Sequence, residues 1–316
     1  MSAPKPNPVE PFLQRQGVLV LDGGLATELE ARGRDLSDHL WSARLLLDDP
    51  DLIRAVHLDY LRAGADCITS ASYQATIEGL ATRGLRKEEA AQVILSSVRL
   101  AVEAREEFWT VPEHRRGRLK PIVAASVGPY GAYLADGSEY TGRYDLDRAG
   151  LLGFHRERWR ILAASEADLL ACETIPSSVE AEALLELLGE TPHVWAWFSF
   201  SCRDERSLSD GMPIARVAAS LRDEPRVVAV GINCTPPRFI RALIEEVRAA
   251  SSKPVVVYPN SGEVYDKESK RWVGDAEPVD FGRLSDEWLK AGATLIGGCC
   301  RTGPVHVRAI RERLVM

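Results

Sequence analysis

The chain has 316 residues, 45% hydrophobic and 27% charged, with 39 basic against 46 acidic side chains, a formal net charge of −7 and a pI near 5.5. That acidic balance argues against a nucleic-acid partner, which needs a basic face to neutralise phosphates, and no apolar run approaches the roughly 20 residues that span a membrane. The six cysteines form no spaced disulfide framework of the secreted kind, so a cytoplasmic setting is expected, with thiols reduced and open to metal.

In chain order, Met1 to Pro11 is polar, rich in proline and without an apolar h-region. Residues 1–17 therefore read as an N-terminal arm, not a signal peptide. The first strand is expected over Val18–Asp22, followed by a long loop, Gly23–Asp49, and a helix over Pro50–Ala63 with apolar positions at Leu52, Ile53, Val56, Leu58 and Leu61. Asp66–Ser70 is the second strand and Lys87–Phe108 its helix. Ile122–Val127, the third, runs into a second long loop, Gly128–Tyr144, and a helix over Asp145–Ala164. Strands over Asp168–Glu173, Val194–Phe200 and Val227–Cys234 are each followed by a helix, over Ser177–Leu188, Pro213–Leu221 and Pro236–Ala250. Pro254–Tyr258 leads into a third long loop, Pro259–Pro278, and the helix Phe281–Ala291. The last strand, Thr294–Gly297, precedes the helix Pro304–Leu314.

Several strand runs are apolar without polar alternation, as in parallel strands covered on both faces by helices. Prolines and serines near the helix starts, and glycines in Ala63–Asp66 and Ala291–Thr294, are the expected punctuation. Eight strands alternating with eight helices predict an α/β fold, a (β/α)8 TIM-type barrel as a single domain over residues 18–316. A doubly wound open sheet comes second, because no GxGxxG follows the first strand. Nothing resembles an added dimerisation arm, so a monomer or weak homo-oligomer is expected.

The strand ends carry Asp22, Ser70, Ser126, Glu173, Ser201, Cys234, Asn260, Cys299 and Cys300. In a barrel these residues share the C-terminal mouth, where active sites lie. Three thiolates on Zn2+ leave one of four positions open, as a catalytic zinc requires. Adjacent side chains of a regular strand point apart, so the strand must break before Cys299 and Cys300. Gly297 and Gly298 are expected to supply backbone conformations closed to other residues. With Zn–S near ~2.3 Å, the sulfurs would stand roughly 3.7 Å apart. Two buried cysteines acting as small hydrophobes, or a strained disulfide, remain as alternatives. Cys67 and Cys172 lie inside strand runs and read as core, while Cys202 follows a strand end without partners.

Asp22 is followed by Gly23 and Gly24, whose backbone N–H groups can receive an anion. The combination suits an amino acid, with its carboxylate on the N–H groups and its ammonium on Asp22. An Asp22 that only caps a turn, and a Glu173 held in a barrel-top ion pair, are the alternatives. Trp41, Tyr73, Tyr130, Tyr133, Tyr140, Tyr258 and Tyr265 lie in the loops. Each alone reads as packing; together they could surround a cation, at roughly 0.5–2 kcal/mol per contact. His39, His57, His155 and His193 show no partner pattern. No histidine follows a strand end, which argues against a cysteine-nucleophile hydrolase.

Several of these segments form a familiar set: Leu-Asp-Gly-Gly-Leu-Ala-Thr-Glu-Leu (21–29), Leu-Trp-Ser-Ala (40–43), Ser-Tyr-Gln-Ala-Thr (72–76) and Gly-Pro-Tyr-Gly-Ala-Tyr-Leu-Ala-Asp-Gly-Ser-Glu-Tyr (128–140). Cys-Glu-Thr-Ile-Pro (172–176), Gly-Ile-Asn-Cys-Thr-Pro-Pro (231–237), Tyr-Pro-Asn-Ser-Gly-Glu (258–263) and Gly-Gly-Cys-Cys-Arg-Thr-Gly-Pro (297–304) complete it. The chain resembles the homocysteine S-methyltransferase family, above all its short, single-domain branch using S-methylmethionine or S-adenosylmethionine. Betaine-dependent members and the homocysteine module of cobalamin-dependent methionine synthase look more distant.

The resemblance implies a (β/α)8 barrel with Zn2+ held by Cys234, Cys299 and Cys300. It implies that Asp22 and Glu173 hold the homocysteine ammonium, while amides near Gly23, Gly24 and the turn from Ser70 to Tyr73 take its carboxylate. The implied chemistry is attack by the zinc-bound homocysteine thiol on a sulfonium methyl, giving methionine with no general base at the transfer step. A selenocysteine methyltransferase of the same family and a non-catalytic zinc or thiol-binding barrel stand as alternatives.

Overall fold

The computed structural model describes residues 6–34, 42–262, 264–266, 271–273 and 278–315. Its strands are β1 Leu19–Val20, β2 Cys67–Thr69, β3 Ile122–Val127, β4 Leu169–Ile175, β5 Ala196–Phe200, β6 Val227–Asn233, β7 Val255–Tyr258, β8 Val264–Asp266, β9 Arg271–Val273 and β10 Ala293–Ile296. Eight of them run parallel in the order β1-β10-β7-β6-β5-β4-β3-β2, and a bridge between Leu21 and Cys67 joins β1 to β2. The fold is the expected (β/α)8 barrel, with β8 and β9 an added antiparallel hairpin inside the loop after β7.

Strand alternation sorts the side chains into two cores. Val20, Val123, Leu170, Phe198, Ile232, Val257 and Ile296 face the surrounding helices. Leu19, Ile122, Leu169, Trp197, Val256 and Leu295 fill the barrel. The inward positions turn polar towards the strand ends, where Ser126, Glu173, Ser199 and Asn233 replace aliphatic residues, all of them buried.

The helices follow the predicted patterns. Pro50–Ala63 begins behind Asp49, whose carboxylate accepts the Leu52 N–H at 3.3 Å, and it buries Ile53, Val56 and Leu61. Pro304–Leu314 also has the predicted limits. The long loops contain short helices that the sequence pattern did not reveal: Leu25–Ala31, Ser42–Asp48 and Tyr130–Leu134. At five to seven residues, they are too short to show a full amphipathic period.

A helix at Glu10–Gln16 lies under the barrel. Val9 and Phe12 are buried at 1% and 2% exposure among the lowest interior residues, and so form its floor. Gln16 reaches the carboxylate of Asp66 at 2.6 Å. That carboxylate, 1% exposed, also receives the Val20 N–H and the guanidiniums of Arg311 (2.8 Å) and Arg118 (3.5 Å). Asp66 thus ties the first helix, β1, β2 and the last helix together. Among the described residues, no helix is long and apolar enough to cross a membrane.

Candidate active site

Three thiols meet over the barrel mouth. The Sγ atoms of Cys234, Cys299 and Cys300 all lie within 4.8 Å of one another, and Cys234 and Cys300 are 3.6 Å apart. The bend that brings them together is made by residues other than the expected glycines. Cys234 follows β6 at φ 49 and Arg301 follows Cys300 at φ 64, both in the left-handed region, which residues with a Cβ seldom adopt. β10 ends at Ile296, so strand alternation does not constrain the vicinal pair. Gly297 and Gly298 keep ordinary φ and serve by lacking side chains. A Cβ on Gly297 would lie 2.5 Å from that of Leu21, and one on Gly298 would run into Thr302.

The three thiols interact strongly with one another. Thiol protons donated by Cys299 and Cys300 hold Cys234 well below the usual thiol range, and the donors are pushed up in return. A divalent, thiophilic ion removes this conflict, because it allows all three to ionise. The donor set fits such an ion: three convergent sulfurs within 4.8 Å of one another, fewer than the four ligands zinc takes. Among the described residues, no other group of three potential ligands converges in this way. Cys202 lies apart, with its thiol on the Phe200 carbonyl at 3.9 Å. Cys67 and Cys172 are fully buried in the two cores.

Two carboxylates line the same mouth. The Oδ2 of Asp22 accepts the Thr69 N–H at 2.7 Å and its Oδ1 the Thr69 hydroxyl at 3.2 Å, so the side chain extends the β1–β2 seam beyond the last backbone bridge. Glu173, the last inward residue before a bulge in β4, accepts from the Ser126 hydroxyl and has Tyr258 within reach. Neither has a cationic partner among these contacts. Burial pushes Asp22 up to about 8 against the Thr69 bonds, with the nearby Glu173 charge adding to the rise. Burial likewise pushes Glu173 up to about 7 against Ser126 and Tyr258.

The neighbouring backbone departs from expectation at one point. The Gly24 N–H donates to the Thr302 carbonyl at 2.9 Å and is already used. Gly23 and Gly24 instead permit close approach, since a Cβ on either would lie 2.7 Å from Thr302 O or 2.6 Å from Cys299 O. Ser70 and Ser72 join hydroxyls at 2.7 Å, and Ser70 also accepts the Ser126 N–H, which braces the turn leading to Tyr73.

The aromatic residues divide. The Tyr140 hydroxyl stands 3.4 Å from Cys234 Sγ, and burial, with the Glu139 and Cys234 charges nearby, pushes the Tyr73 phenol up. Tyr258 lies beneath, bonded to Trp197 and Ser199. Tyr130 and Tyr133 belong elsewhere, in a cluster with Phe154. Trp41 and the Tyr265 side chain lie outside the described residues, as does His39. His57 is buried and His155 is bonded to Glu180 at 2.8 Å. Thr69 and Asn233 are the site residues that sequence reasoning missed. Their signals were thin: a threonine before a predicted strand-end serine, and an asparagine inside an apolar run.

The family model for homocysteine S-methyltransferase matches residues 19–314. Homocysteine S-methyltransferase YbgG of Bacillus subtilis is 52% identical over 304 residues, 96% of either chain. Selenocysteine Se-methyltransferase of Brassica oleracea var. italica is 49% identical over 309 residues, 95% of this chain and 89% of its own. Among solved structures, the metallated form of the Escherichia coli homocysteine methyltransferase MmuM aligns at a TM-score of 0.87 and 47% identity, over 97% of this chain and 100% of that one.

Proposed function

We propose, since the chain belongs to the homocysteine S-methyltransferase family and is a methyltransferase, that it moves a methyl group from a sulfonium donor to the thiol of L-homocysteine, with zinc on Cys234, Cys299 and Cys300. One observation carries the reading: two buried carboxylates without a cation, Asp22 and Glu173, share the barrel mouth with three convergent thiols. An amino acid with a thiol side chain completes both halves. Its ammonium supplies the charge that Asp22 and Glu173 lack. Its carboxylate falls to Gly23 and the turn from Ser70 to Tyr73.

Bound zinc would supply Lewis acidity that lowers the pKa of the substrate thiol. Held through its ammonium and carboxylate, the substrate would direct its sulfur to the three thiols. In the transfer, a sulfur lone pair forms the new S–C bond as the donor S–CH3 bond breaks. The donor leaves as a neutral thioether, and no proton moves in that step. Tyr140 and Tyr73 stand beside Cys234, where they would border the sulfonium. S-methylmethionine and S-adenosylmethionine are the donors proposed. A reducing, cytoplasmic compartment would keep the thiols available, and a monomer or weak homo-oligomer suffices for a site built from one chain.

A second reading, methyl transfer to selenocysteine, is favoured by the 49% identity to a selenocysteine Se-methyltransferase. Selenocysteine is shorter by one methylene, so the span from the carboxylates to the thiols decides between the two. Purified protein would be given homocysteine or selenocysteine with S-methylmethionine, S-adenosylmethionine or betaine, with and without chelator. Methionine formed from sulfonium donors, lost on chelation and restored by zinc, is the expected result. No methionine from any donor, or turnover indifferent to chelation, would overturn the reading.

A further inference from the structure

We propose that Asn233 is a positioning residue that holds both halves of the site from a single amide; this rests on the reading above. Asn233 ends β6, is fully buried and has the inward parity of its strand. Its Oδ1 accepts the Thr174 N–H at 2.7 Å, and its Nδ2 donates to the Thr174 hydroxyl oxygen at 2.7 Å. The Thr174 N–H can face only an oxygen, which fixes the orientation of the amide. The second amide hydrogen is left for Cys299 Sγ, at 4.0 Å.

Thr174 needs such a partner. It is β-branched and sits at φ 59, a conformation that persists only where its surroundings impose it. It is also the extra residue of the β4 bulge, since the β4–β5 register slips between Cys172 and Ile175. The bulge leaves Glu173 facing the mouth while Ile175 returns to the outer core. By gripping the peptide that follows Glu173, Asn233 sets where that carboxylate points. The clamp crosses over β5, which lies between β4 and β6. The next residue, Cys234, is itself left-handed at φ 49. The Asn233 carbonyl accepts the Thr235 hydroxyl at 2.9 Å, and Thr235 in turn accepts the Cys202 N–H at 3.0 Å, which fixes the peptide leading to that thiol. Thr174 passes the connection on to Tyr73 through its hydroxyl. One side chain therefore links the ammonium-binding carboxylate, two thiols and an aromatic wall.

The test is a cycle of Asn233→Ala and Thr174→Gly, read by homocysteine KM, by kcat and by the zinc affinity of the resting protein in competition with a chromophoric chelator. Glycine adopts positive φ without a clamp. Asn233→Ala is expected to raise homocysteine KM about tenfold or more while kcat changes little, and to weaken zinc binding by about 10- to 100-fold, as loss of a ligand's hydrogen-bond partner does. In the Thr174→Gly background, the same substitution should change KM by no more than about twofold, because the strained residue is gone. Zinc binding should stay weakened there, since the contact to Cys299 is still missing. An equal KM penalty in both backgrounds, or wild-type zinc affinity in Asn233→Ala, overturns the proposal. Should Asn233→Ala fail to fold, Asn233→Asp retains the acceptor for Thr174. Weakened zinc binding with KM unchanged then supports the proposal, and wild-type values for both overturn it. If the wild-type protein does not turn over homocysteine, the functional reading has failed, while zinc competition still judges the contact to Cys299.

Discussion

The two ends of the barrel solve the problem of a buried carboxylate in opposite ways. At the floor, Asp66 receives two guanidiniums, a side-chain amide and a backbone N–H. At the mouth, Asp22 and Glu173 receive backbone and hydroxyl donors but no cation among the described residues, and burial pushes them up to about 8 and about 7. Removing an ion from water costs several kcal/mol unless a partner offsets it. The floor has its partner built in, whereas the contacts described at the mouth include none. On the proposed reading, the difference separates a carboxylate kept for assembly from carboxylates kept for a ligand, as expected where the N-terminal face of a barrel serves stability and the C-terminal face chemistry.

The largest effect that could break this contrast lies at the thiols. Cys234→Ser should lose both bound metal and turnover while keeping the fold, as checked by elemental analysis and circular dichroism. Retained metal with normal rates would remove the reason for placing chemistry at this end.

Next comes a matched pair. Asp66→Asn should cost about 3–5 kcal/mol of stability by stranding two guanidiniums, with homocysteine KM unchanged for the folded fraction. Asp22→Asn should leave the melting temperature level or higher and raise KM by roughly 10- to 100-fold, through loss of a charge-assisted contact. Urea melts and initial-rate kinetics read both, and the contrast dissolves if the two variants behave alike.

A smaller effect follows from pH. The folded pKa values of Asp22 and Glu173, about 8 and about 7, lie above their ordinary values of 3.8 and 4.5. The stability these groups contribute to the empty protein is therefore full below pH ~4 and lost as pH rises through their folded pKa values. Homocysteine binding should run the other way, because its ammonium seeks the ionised carboxylates. Between pH 6 and 8.5, the melting temperature of the empty protein should fall and the thermal shift given by homocysteine should grow. A shift independent of pH would place the ammonium elsewhere. The finest probe is Thr69→Val, which removes one hydroxyl from Asp22 and should raise KM only about fivefold, for a hydrogen bond of about 1 kcal/mol.

Much of the barrel could be read in advance because strands buried on both faces form continuous apolar runs, and all eight fall where those runs lie. The convergence of Cys234, Cys299 and Cys300 was legible for a related reason, since each stood just past such a run. Where the reading went astray, side chains and backbone played roles that residue type does not advertise. Gly297 and Gly298 looked like the source of the bend, yet the left-handed residues are Cys234 and Arg301, and a non-glycine at positive φ leaves no trace in a sequence. Gly24 looked like a free donor, but its partner, the Thr302 carbonyl, comes from a loop more than 270 residues away. Tyr130 and Tyr133 shared a loop with Tyr140, but the short helix Tyr130–Leu134 turns them towards Phe154. The helix at Glu10–Gln16 was not legible, because seven residues show too little period to betray Val9 and Phe12 as core.

That small helix at Glu10–Gln16 has a kinetic consequence. Val9 and Phe12 complete an interior already filled by Leu19, Leu169 and Trp197, so reactants approach from the mouth. On the proposed reading, the amino acid held by Asp22 and Glu173 is expected to bind before the donor and its product to leave last, an order that product-inhibition kinetics would check.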